Sequence, residues 1–120
     1  MTDMTEIIKP TMMNYRRHLI VCIGSRCTQN DGGQALYDLL KDKLKTAGLN
    51  TGELRVKRSR ATCFGTCKSG PLLCVQPDGV WYYAIDEEKL DRIISEHFIG
   101  GKPVEEWVYH QGPTCEIEGR

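Results

Sequence analysis

Apolar residues fall into short runs along the chain, and the spacing changes character from one run to the next. Leu19-Ile20-Val21-Cys22 is almost continuously apolar, as expected of a strand covered on both faces. From Gln34 to Ala47 the spacing becomes helical. Ala35, Leu36, Leu39, Leu40, Leu44 and Ala47 share one side, and Asp38, Lys41, Asp42 and Lys45 lie opposite. Gly48 is placed to end that helix with a left-handed cap. Leu54 to Ser59 reads as a strand with charges interleaved, and Leu72-Leu73-Cys74-Val75 as another buried strand. Gln76-Pro77-Asp78-Gly79 supplies turn chemistry before the strongly strand-like Val80-Trp81-Tyr82-Tyr83-Ala84, so these two runs form a hairpin.

Asp86 is positioned as the N-cap of a second helix, with Glu87 and Glu88 near its positive end and Leu90, Ile93, Ile94 and Phe98 on its apolar side. That helix is expected to run to about His97, and Gly100-Gly101 to stop it; Pro103 to Tyr109 reads as a further extended piece. A strand–helix–strand unit is parallel, whereas a hairpin is antiparallel. The reading is α/β, a four-stranded mixed sheet with two main helices.

Residues 1–16 form an arm without periodicity, 17–110 the folded domain and 111–120 a tail. The tail ends in Ile117-Glu118-Gly119-Arg120, a common engineered protease site, and is given no weight. Sixteen cationic and sixteen acidic side chains balance, so nothing global argues for nucleic acid or an anionic membrane. No run approaches the roughly 18 apolar residues of a membrane helix. The first residues lack the pattern of a secretory signal, so a cytoplasmic protein is expected. In a reducing compartment, six cysteines read as ligands or reactive thiols before disulfides.

Four of the six form two close pairs, Cys22/Cys27 and Cys63/Cys67, separated by one strand–helix–strand unit. In a parallel unit the loops after both strands leave from the same end of the sheet, which brings the pairs together. A two-iron cluster takes four thiolates, two per iron. Gly24, Gly65 and Gly70 leave room for close backbone approach. A structural zinc site also uses four thiolates, but usually with tighter C-x-x-C knuckles. No C-x-x-C motif is present for thiol–disulfide exchange, and none of His18, His97 or His110 lies within either pair to build a Rieske centre. A non-enzymatic interaction or complex subunit with a structural zinc site on four cysteines remains the alternative.

Cys74, inside an apolar run, reads as a packing residue, and Cys115 in the tail as no ligand. His97 reads as a favourable partner for a helix C-terminus, and Trp107 as an anchor docking the C-terminal piece. Arg55, Lys57, Arg58 and Arg60 form the one local basic run, joined by Arg26 and Lys68 beside the cysteines. They are either the solvated edge of a sheet or charges that offset the cluster and steer an acidic redox partner.

With these residues in view, the chain resembles the thioredoxin-like [2Fe-2S] ferredoxins and the similar small subunit of NADH:quinone oxidoreductase. The resemblance spans about Arg17 to Tyr109. It rests on the Val21-Cys22 strand end, Ser25-Arg26-Cys27 leading into the first helix, and Thr62-Cys63-x3-Cys67 followed by Gly70-Pro71. The Pro77-Asp78-Gly79-Val80-Trp81-Tyr82 hairpin and Gly100-Gly101-x-Pro103-Val104 add to it. It implies a thioredoxin-like fold and a one-electron carrier, often a homodimer, with a [2Fe-2S] cluster on Cys22, Cys27, Cys63 and Cys67. Its partners would be redox proteins rather than nucleic acid. Free-standing members have a longer first cysteine loop; the four residues between Cys22 and Cys27 are like those of the complex-borne subunits.

Overall fold

The computed structural model describes residues 7–24, 32–62, 64 and 70–112. Among these, the elements in chain order are β1 (Arg17–Cys22), α1 (Gly32–Thr46), β2 (Val56–Ala61), β3 (Leu73–Gln76), β4 (Val80–Tyr82), α2 (Glu87–Arg92) and β5 (Val108–Gln111). They form one mixed sheet in the order β2-β1-β3-β4-β5. β1 and β2 are parallel, with Arg17 opposite Val56 and Cys22 opposite Ala61. β1–β3, β3–β4 and β4–β5 are antiparallel.

The sheet therefore has five strands rather than the four expected from the sequence. The extra strand is β5, four residues long and only partly buried. Its register against β4 is irregular between Trp81 and Tyr82. A strand this short, without alternation, leaves only an extended signature in the sequence.

Strand alternation places Leu19, Val21, Leu73, Val75, Val80 and Tyr82 on one face, where they join Leu36, Leu40 and Leu44 of α1 and Leu90, Ile93, Ile94 and Phe98 in a single core. Both helices thus pack on the same face. On the other face His18 and Ile20 are only partly buried, so β1 is not covered on both sides as its apolar run suggested. Of the predicted helical stripe of α1, Leu36, Leu40 and Leu44 are buried, while Leu39 stands 37% exposed at the margin.

The helix ends follow the sequence closely. α1 closes in a Schellman arrangement: the Leu49 N–H donates to the Leu44 carbonyl and the Gly48 N–H to the Lys45 carbonyl. Gly48 takes φ +76°, the left-handed conformation that its lack of Cβ allows. Asp86 caps α2, its carboxylate accepting from the Lys89 N–H at 2.9 Å. Past Arg92 the helix widens into π-helical turns over Ile93–Ile99 before Gly100 and Gly101 end it. Apolar spacing at residues 90, 93, 94 and 98 is met by either winding, so the sequence could not announce the change. Trp107 packs against the core, with Lys89 and Arg92 over its ring at 5.4 and 4.8 Å. The Gly70–Pro71 and Gln76–Pro77 bonds are cis.

His97 departs from its expected role. It is fully buried rather than a solvated cation at a helix end. Its Nδ1 meets the Tyr82 hydroxyl at 2.9 Å and its Nε2 meets Asp78 Oδ2 at 2.6 Å. The Arg17 Nε donates to the same carboxylate oxygen at 2.9 Å. The Val104 N–H donates to the Tyr82 oxygen at 3.0 Å, so the hydroxyl proton is free to go to Nδ1. Imidazole is then neutral, with its proton on Nε2 directed at Asp78. Burial, outweighing the attraction of Asp78, pushes the His97 pKa down and keeps it so.

Candidate metal centre

Of the four predicted ligands, Cys22 lies among the described residues; Cys27, Cys63 and Cys67 lie outside them, as do Arg26, Lys68 and Gly65. What the structure fixes are the chain ends from which the cysteine-bearing segments depart. These ends converge.

Cys22 is the last residue of β1, and its Sγ is held in a fully buried position beside Leu72, with Phe64 and Tyr109 packed against the pair. The Cys22 N–H donates to the Leu72 carbonyl at 3.0 Å, and the Ile23 N–H to the Ala61 carbonyl at 2.8 Å. The parallel ladder therefore continues one residue beyond β1, and the two strands release their loops side by side. A Cβ on Gly24 would overlap the Thr62 carbonyl oxygen, and it would lie 3.7 Å from Cys22 Sγ. Thr62 immediately precedes Cys63 in the chain. At the far end of the first segment, a Cβ on Gly33 would overlap the Cys22 carbonyl oxygen. The glycines the sequence marks for close approach include Gly24; Gly33, just before the predicted helix, carries no such mark. Its role is tertiary, being set by where the first turn of α1 rests on β1.

The surroundings suit an anionic, sulfur-ligated centre. The first turn of α1 starts against Cys22 and carries no acidic residue, so its positive end is unopposed by its own side chains. A buried sulfur among Leu72, Phe64 and Tyr109 is shielded on that side from water, which suits soft, covalent metal–sulfur bonding over hydrated hard ions. Phe64 stands between Cys63 and Cys67 in the chain. It meets Trp81 edge to face at 5.3 Å, and Trp81 meets His110 at 6.3 Å. Tyr109 was legible only as part of an extended piece; nothing in its neighbours in sequence signals that β5 folds it back onto Cys22.

Cys74 is 1% exposed in the middle of β3, with Gln76 Nε2 donating to its sulfur at 3.1 Å. Burial pushes its thiol pKa up, so it sits as a neutral packing group, in line with the sequence reading. β2 is an edge strand, as a solvated sheet edge requires of its basic run. The guanidiniums of Arg58 and Arg60 lie over the Tyr37 ring, at 4.4 and 5.5 Å from its centroid.

The convergence of these segments has counterparts among known proteins. The chain matches the thioredoxin-like [2Fe-2S] ferredoxin family over residues 11–97. A 2Fe-2S ferredoxin of Aquifex aeolicus is 30% identical over 104 residues, covering 80% of this chain and 91% of the relative. One of Clostridium pasteurianum is 26% identical over 100 residues, covering 78% of this chain and 95% of the relative. The solved structure of a thioredoxin-like [2Fe-2S] ferredoxin from Aquifex aeolicus superposes with a TM-score of 0.70 at 25% identity. That match covers 88% of this chain and all of the other. On sequence and fold together, this chain belongs to the thioredoxin-like [2Fe-2S] ferredoxins, iron–sulfur electron carriers whose cofactor is a [2Fe-2S] cluster.

Proposed function

We propose that the chain holds a single [2Fe-2S] cluster on Cys22, Cys27, Cys63 and Cys67, and that it passes one electron at a time between redox partner proteins without catalysing a reaction of its own. The observation that carries this reading is the meeting of chain ends around Cys22. Gly24 abuts Thr62, Gly33 abuts the Cys22 carbonyl, and Leu72 receives the Cys22 N–H. Both cysteine-bearing segments begin and end at this one place on the sheet. Four thiolates supplied from there match the donor set of a two-iron cluster, which supplies one-electron exchange.

The protein's own residues have three tasks in this reading. β1 anchors Cys22 rigidly, and Gly24 and Gly33 permit the close backbone approach. Leu72, Phe64 and Tyr109 keep water from the Cys22 sulfur. The carrier is proposed to act as a homodimer in the cytoplasm, with neither nucleic acid nor membrane insertion involved. Among the described residues, no helix is long and apolar enough to cross a membrane.

Iron and acid-labile sulfide analysis of anaerobically purified protein tests the assignment. About two of each per chain are expected, with a rhombic EPR signal after dithionite reduction. Replacing Cys22, Cys27, Cys63 or Cys67 singly by Ala should abolish or distort that signal, whereas Cys74→Ala should keep it. An unaltered signal after loss of any of the four removes that residue from the ligand set. A colourless protein with one zinc per chain would return the structural-zinc alternative.

A further inference from the structure

The outer edge of β2 and the adjoining flank of α1 form a groove of about 470 Å³ whose lining includes Lys41, Lys45, Arg55, Lys57 and Arg58 but no carboxylate. The remaining lining is Leu44, Val56 and Asn50. Among the described residues none of these five cations lies within ion-pair distance of an acid. Three cations elsewhere are paired: Lys43 with Glu87 and Asp91, Arg92 with Glu96 and Glu106, and Arg17 with Asp78. In a chain of zero formal charge, this groove thus gathers five cations and no acid.

That edge also has backbone to offer. The Arg16 and Arg17 N–H groups donate to the Arg55 carbonyl and the Ile23 N–H to the Ala61 carbonyl, so odd-numbered residues of this stretch face β1. Alternation turns the N–H and C=O groups of the even-numbered ones outward. Val56 uses its N–H on the Leu49 carbonyl. Among the described residues, the outward backbone groups of Arg58 and Arg60 have no partner.

Charged residues on an edge strand commonly serve only to prevent association. Here the charge extends beyond the strand. Lys41 and Lys45 stand one turn apart on α1 and add to the same groove, although like charges at that spacing disfavour a helix. Single-stranded nucleic acid would want an open aromatic face for stacking, and the Tyr37 ring has Arg58 and Arg60 over it.

We propose that this edge docks an acidic, extended segment of a partner protein. The segment adds as a sixth strand beside β2 and hydrogen-bonds with Arg58 and Arg60. Acidic side chains at every second position point toward Lys41, Lys45 and Arg58 on the helix-bearing side. This site is independent of how the cluster is ligated.

The test uses a blocked eight-residue peptide alternating Glu with Val or Thr, titrated into isotope-labelled holoprotein at low ionic strength. Binding should protect and shift the Arg58 and Arg60 amides and weaken as salt rises. Lys41→Glu/Lys45→Glu should weaken it about tenfold or more, and so should N-methylating the two central backbone amides of the peptide, one of which faces β2 in either strand direction. Both lysines are exposed, and Lys41→Gln/Lys45→Gln serves if the charge reversal disturbs folding. Binding that ignores both changes, or that leaves the Arg58 and Arg60 amides unmoved, overturns the proposal. So does displacement of the peptide by an oligothymidylate of equal charge at lower concentration, which would mark a nucleic-acid site instead.

Discussion

Tyr82→Phe removes one oxygen from a largely buried polar network and changes little else in shape. The Tyr82 side chain is fully buried, and its oxygen accepts from the Val104 N–H at 3.0 Å while meeting His97 Nδ1 at 2.9 Å. Phenylalanine would leave a buried backbone donor and a buried ring nitrogen without partners. Each such group costs about 1–3 kcal/mol, partly offset because the hydroxyl itself no longer has to be desolvated. A net loss of about 2–4 kcal/mol follows, and at about 4–8 °C per kcal/mol for a domain of this size the melting temperature should drop by roughly 10–25 °C. Urea unfolding followed by far-UV circular dichroism measures it, with the slope in urea unchanged if only the native state is affected.

An ultraviolet titration supplies a second readout. Burial pushes the Tyr82 pKa up to about 12, against the lowering effect of the Val104 N–H. A group raised in the folded state favours folding fully below its unfolded pKa, near 10, and the contribution fades as pH climbs through the folded value. Wild type should therefore show a late phenol that Tyr82→Phe lacks. A destabilisation under about 0.5 kcal/mol, with the late phenol still present, would mean that water reaches these groups and that the network is not what ties Val104 to the core.

Three other outcomes are expected. Because burial depresses His97 in the folded state, the unfolded chain takes up its proton first as pH falls. Stability should thus decline below about pH 6.5, with the urea midpoint lower at pH 5.5 than at 7.5 and a flatter profile in His97→Gln. Gly24→Ala drives a Cβ into the Thr62 carbonyl oxygen and should cost about 1–3 kcal/mol together with iron content, read by urea unfolding and metal analysis; an undisturbed variant would show that the two strand exits can part freely. Asp86→Ala deletes the acceptor of the Lys89 N–H and should lower stability by about 1 kcal/mol, with iron content untouched.

Much of this architecture was legible from local pattern. The 3.6-residue spacing of Leu36, Leu40 and Leu44, the cap at Asp86 and the stops at Gly48 and Gly101 are decided within a few residues of chain, by side-chain period and by which residues tolerate positive φ. The two cysteine pairs proposed as donors are likewise read from spacing in the chain itself. Tertiary structure decided what depends on distant neighbours. β5 exists because β4 offers an edge, and His97 is held neutral because the fold buries it, against the attraction of Asp78. Gly33 matters because α1 rests on the Cys22 carbonyl, and the cations of β2 and α1 form one groove only because those elements pack together. Propensity and periodicity act over one or two turns, whereas burial, close approach and summed charge are properties of surfaces that meet only once the chain has folded.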